Sequence, residues 1–125
     1  MKKVLSFLCA GTMLLCLAAC SNQPKFNGSR TGNDSQLIME YSIFNGTDSQ
    51  KLDLQQGDVL AAAIVSDSGS LSVTIQEEGS EPIYQEENIP TGKFSIEIPE
   101  DGSYTISVVG ENAAGGLSFV KEGNA

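Results

Sequence analysis

The chain predicts an all-β fold, a small antiparallel β-sandwich or jelly roll of about eight strands occupying residues 37–125. Three observations carry this. Apolar and polar residues alternate with period two in short runs, turn-forming residues separate those runs at intervals near ten residues, and helical periodicity is missing beyond residue 36.

The first run, Leu37 to Phe44, alternates loosely, with Leu37, Met39, Tyr41 and Ile43 on one side and Ile38 and Phe44 on the other. That pattern suits a strand covered on both faces. Val59 to Val65 (VLAAAIV) is apolar throughout; seven residues between Gly57-Asp58 and Ser66-Asp67-Ser68-Gly69 are too few for a self-supporting helix, so it reads as a central strand. Leu71 to Gln76, Phe94 to Ile98 and Tyr104 to Val108 alternate cleanly, as half-buried antiparallel strands do. Gln50 to Leu54, Ile83 to Gln85 and Gly116 to Lys121 complete the set. Between them, Asn45-Gly46, Gln56-Gly57-Asp58, Asp67-Ser68-Gly69, Asp101-Gly102 and Ala114-Gly115-Gly116 supply residues suited to positive φ or Asx turns. In this register Ile75, Ile96, Tyr104, Ile106 and Phe119 face the core.

The N-terminus carries a different signal. Met1-Lys2-Lys3 is a positive segment, Val4 to Leu17 is apolar but too short for a roughly 30 Å hydrocarbon core, and Leu17-Ala18-Ala19-Cys20 closes it with small residues and a cysteine. The arrangement resembles the lipobox of bacterial lipoproteins. The resemblance implies a signal peptide over residues 1–19, cleavage before Cys20, lipid (palmitate-type acyl chains) on Cys20, and attachment at the extracytoplasmic face of the cell membrane, or at the outer membrane of a diderm source. Several acyl chains, at about 0.8 kcal/mol per buried methylene, would hold the protein firmly. Cys9 and Cys16 fall inside the leader, so no disulfide is expected in the mature domain.

Loss of Lys2 and Lys3 with the leader leaves five basic against sixteen acidic residues, a formal net charge of −11. So acidic a surface disfavours nucleic acid as a partner. Residues 20–36, SNQPKFNGSRTGNDSQ after the cysteine, hold Phe26 as their one large apolar side chain. They are expected to form a flexible polar tether, whose sixteen residues as a coil would span about 20–24 Å.

The stretch Phe94-Ser-Ile-Glu-Ile-Pro-Glu-Asp-Gly-Ser-Tyr-Thr-Ile-Ser-Val-Val-Gly, followed by Ala114-Gly-Gly-Leu-Ser-Phe-Val, is similar to the closing strands of small bacterial extracellular sandwiches of the prepeptidase C-terminal type. The similarity implies that Tyr104 caps the core and that Gly102 makes the preceding turn.

The search for reactive groups is largely one of exclusion. With no histidine in the sequence, Ser-His-Asp and Cys-His catalysis and the usual zinc sites are ruled out, and no thiol remains if Cys20 is lipidated. Phosphate-cradling glycine motifs are missing as well. The acidic group Glu77-Glu78, Glu81, Glu86-Glu87 is the densest cluster; it matches no calcium-loop spacing, so it reads as a solvated loop and at most a weak calcium site. Tyr84, between Glu77 and Glu86, is the one tyrosine outside an apolar register and offers the candidate ligand surface. The expectation is therefore a non-enzymatic lipoprotein without a cofactor, binding a protein partner in the cell envelope or serving there as a structural module. A small glycan- or calcium-binding module is the alternative.

Overall fold

The structure, a computed structural model, describes residues 25–122. It is all-β: strands β1 (Phe26–Asn33), β2 (Gln36–Leu54), β3 (Val59–Glu77), β4 (Pro82–Glu86), β5 (Gly92–Glu97) and β6 (Gly102–Glu122). They form one antiparallel sheet in the order β1-β2-β6-β3-β4, with β5 paired to the other half of β3. The antiparallel all-β sandwich expected from the sequence is present.

The strand count is six rather than eight: three pairs of expected runs merge into single strands, and β1 is added at the N-terminal side. Three strands are long and bend in the middle, so that β2 contains the runs 37–44 and 50–54, β3 the runs 59–65 and 71–76, and β6 the runs 104–108 and 116–121. The turn signals at Asn45-Gly46, Asp67-Ser68-Gly69 and Ala114-Gly115-Gly116 mark these bends. There the ladder register shifts, between Tyr41 and Gly46 on β2 and between Ser66 and Ser70 on β3, as bulged strands do when they turn a corner. Gly69 (φ 71°) and Gly115 (φ 137°) take backbone conformations closed to most side chains, and a Cβ on either would run into a facing carbonyl, of Asn112 and Val65 respectively. Asn112 donates its N–H to Asn45 Oδ1 (2.7 Å), tying two bends together.

The bends fold the sheet into two facing layers. Tyr84 on β4, paired to the second half of β3, stacks on Phe94 of β5, paired to the first half, with ring centroids 5.0 Å apart. On the other flank Arg30 of β1, aligned with Met39 in the first half of β2, ion-pairs through Nε with Asp48 Oδ2 in the second half (2.8 Å). Between the layers lies one core that includes Leu37, Met39, Leu52, Leu60, Ile64, Val73 and Leu117. Ile75, Tyr104, Ile106 and Phe119 are fully buried, as expected; Ile96 is only half-buried because β5 is an edge strand. Tyr104 Oη donates to the Glu100 carbonyl oxygen (2.6 Å), closing the β5–β6 connection over the core in the manner of a tyrosine corner.

The expected tether is corrected. Phe26–Asn33 is a strand, antiparallel to β2 from Phe26 opposite Phe44 to Asn33 opposite Gln36, so the sheet begins at residue 26 rather than 37. Every residue of β1 is exposed. Backbone pairing holds it, with Asn33 Oδ1 accepting from Ser35 N–H at the turn (2.9 Å) and the Phe26 ring against Phe44 (centroids 5.9 Å). Such a strand buries no apolar stripe and so leaves no alternation to read. The residues assigned to the signal peptide, and Cys20 itself, lie outside the described residues.

Candidate functional site

Tyr84, Glu77 and Glu86 divide into two places. Tyr84 aligns with Ile75 on β3, faces the seam between the layers, and donates its hydroxyl to Glu86 Oε1 at 2.7 Å. Burial together with that carboxylate pushes its pKa up to about 12. The ring is packed on Phe94, so one of its faces is lost as a stacking platform. Glu86 aligns with Val73, whereas Glu77 lies four residues further along β3 opposite Tyr104. At 3.3 Å per residue the two carboxylates belong to positions about 13 Å apart.

Glu77 instead meets Glu100, to which it is hydrogen-bonded; loss of hydration first, and then the Glu100 charge and hydrogen bond, raise its pKa above the ordinary carboxylate value of 4.5. Glu78, Glu81, Glu86 and Glu87 are exposed. Among the described residues no group of three or more acidic or cysteine side chains is placed to hold a metal ion.

A candidate binding surface lies elsewhere, on the outer face of β3. Strand alternation turns Leu60, Ala62 and Ile64 inward, where all are buried, and leaves Val59, Ala61 and Ala63 on the outside, half-exposed. The ladder sets Ala61 between Ser95 of β5 and Val120 of β6, and Ala63 between Lys93 and Ser118, with Ile38 of β2 beyond Ser118. Alanine methyls are too short to fill the space between those flanking side chains. The result is an open trough of about 640 Å³ whose wall includes Lys93, Ser95, Ser118, Val120 and Glu122. Its floor is apolar and its ends are charged, with Glu97 and Glu122 aligned on either side of Val59. The run that forms it is VLAAAIV, in which Ala61 and Ala63 turn outward and Ala62 inward.

The opposite outer face is different in kind. Ser72, Thr74 and Gln76 of β3 align with Val109, Ser107 and Thr105 of β6, an almost wholly polar surface. The molecule therefore presents one apolar and one hydroxyl-lined flank.

No family model matches the chain, and none of the curated proteins does. Among solved structures, it is similar to Aeromonas hydrophila PliG, a periplasmic lysozyme inhibitor of g-type lysozyme, at 16% identity and a TM-score of 0.49 over 81% of this chain and 90% of that one. It is also similar to TmCBM61, solved in complex with β-1,4-galactotriose, at 19% identity and a TM-score of 0.34 over 74% of this chain and 65% of the other. At these values neither similarity assigns a ligand to the chain.

Proposed function

We propose that the protein is an extracytoplasmic lipoprotein, anchored to the cell membrane through lipid on Cys20, whose β-sandwich is a non-catalytic module that binds another protein of the cell envelope. The observation that carries the binding role is the trough over Ala61 and Ala63, with its apolar floor and its rim of Lys93, Glu97 and Glu122. An apolar centre ringed by charge is the anatomy of a protein interface. A glycan site is favoured by an exposed aromatic stacking face; Phe94, the one aromatic residue lining the trough, stacks on Tyr84 in the seam instead. The lipobox-like leader supports the anchor, and the lack of histidine in the sequence favours binding over catalysis.

A photo-crosslinking side chain placed at Ala63 in the cell-expressed protein is expected to trap a discrete adduct, while the same group at Ser107 on the polar flank traps none. Ala61→Glu should abolish the adduct at 63 without lowering the melting temperature. Equal trapping at both positions, or none at 63, refutes the interface; equal fatty-acid labelling of the wild type and Cys20→Ser refutes the anchor.

A further inference from the structure

The strand assignment of Phe26–Asn33 shortens the link to the membrane, and this constrains orientation. Only residues 21–25 lie between Cys20 and β1, so Cys20 and Phe26 can be separated by at most about 20–22 Å. Phe26 sits at the bend end of the sandwich: it aligns with Phe44, and the Lys25 carbonyl oxygen accepts the Asn45 N–H (2.6 Å). From that end to the β1–β2 turn, the first half of β2 (Gln36 to Phe44) extends about 27 Å. The link is shorter than the domain, so the turn end cannot be inverted onto the bilayer.

The surface at the bend end suits a lipid boundary. Three large apolar side chains are exposed among the described residues: Phe26 (37%), Val65 (49%) and Val109 (40%). All three flank the bends, Phe26 beside Phe44, Val65 just before the β3 register shift, and Val109 next to Gly110, which aligns with Gly46. Charge is distributed in the opposite sense. The turn end carries Asp34, Asp53, Glu78, Glu81, Glu100 and Asp101 against Lys51, which pairs with Glu78, and Lys121, whereas the bend end carries Asp67, Glu87 and Glu111 against Lys25. An anionic headgroup layer repels the first group more strongly than the second.

We infer that the bend end of the sandwich rests on the lipid headgroups, with Phe26, Val65 and Val109 beside the bends at the level of the bilayer surface and the acidic turn end projecting away. The inference depends on Cys20 carrying lipid, as proposed above. It places the trough of β3 on the side of an upright domain, open to a partner lying along the membrane.

The test uses the mature lipoprotein in phosphatidylethanolamine–phosphatidylglycerol vesicles doped with a headgroup nitroxide lipid. Val65→Cys, Val109→Cys, Asp53→Cys and Glu81→Cys are each labelled with an environment-sensitive fluorophore, Cys20 being blocked by its own lipid. Strong loss of emission at 65 and 109, with none at 53 and 81, is the expected result. Equal loss at all four positions, or greater loss at 53 and 81, overturns the orientation while leaving the anchor standing. Mass measurement of the mature N-terminus separates the two readings, since an unmodified Cys20 overturns both. Inserting about twenty Gly/Ser residues after Gln23 adds a coil of roughly 22–27 Å and should abolish the selectivity. Persistence of the original pattern would overturn the claim that the short link sets the orientation.

Discussion

Ile106→Ala is the sharpest test of the folded core. Ile106 is fully buried on β6, the strand held between β2 and β3 along its whole length, and it aligns with Ile75 of β3 and Gln50 of β2. A strand laddered on both sides cannot move in to fill the space left by the lost methyl groups. The cost should therefore fall in the upper part of the usual range for such truncations, about 3–5 kcal/mol. A domain of this size has a total stability of about 5–15 kcal/mol. At roughly 4–8 °C per kcal/mol, a loss of 3 kcal/mol lowers the melting temperature by about 12–24 °C. With no tryptophan in the chain, far-UV circular dichroism of residues 21–125 in urea is the appropriate readout. The midpoint should drop while the slope stays unchanged, because the surface exposed on unfolding is nearly the same. Thr105→Ala, one residue away on the polar flank, should change stability by less than about 0.5 kcal/mol. Because Ile75 and Ile106 are ladder partners, the double alanine variant should depart from additivity by about 0.5–3 kcal/mol. If Ile106→Ala and Thr105→Ala melt together, the register of β6 is wrong.

Two further outcomes follow from the bends and from the paired carboxylates. Gly115→Ala forces a side chain into φ 137° and onto the Val65 carbonyl, so it should destabilise by at least about 1–3 kcal/mol from backbone strain alone. Gly92→Ala, where a Cβ meets nothing within 4 Å, should be nearly neutral, and equal melting of the two variants in a thermal scan would contradict the bend. Glu77 has a folded pKa raised above its ordinary 4.5, so the fold favours its protonated form; that stabilisation is present below the unfolded value and is lost as pH rises through the folded one. Glu77→Gln should accordingly melt above the wild type near pH 7 and level with it near pH 4, and an identical pH profile for the two proteins would refute the Glu77–Glu100 contact.

The sequence by itself determined the strand-forming segments and the inward register of most of them. Leu71–Gln76 and Tyr104–Val108 bury the residues their alternation selects, because period two translates directly into one face of a pleated strand. It also marked Asn45-Gly46, Asp67-Ser68-Gly69 and Ala114-Gly115-Gly116 as places where the chain changes direction. Whether each becomes a hairpin or a bend within a continuing strand depends on which neighbour pairs across it, and that information is non-local. β1 was invisible for the related reason that backbone pairing to β2 holds it, and backbone groups are the same whatever the side chains. The candidate ligand residues fared likewise: Tyr84 and Glu86 meet through the local geometry of one strand, while Glu77 meets Glu100 only after β6 is laid against β3. The trough shows both halves of the lesson. Its alanines stand in the sequence at alternate positions, but only the tertiary structure decided that their outer face has no layer packed upon it, since burial is a property of the assembled sheet and not of the strand.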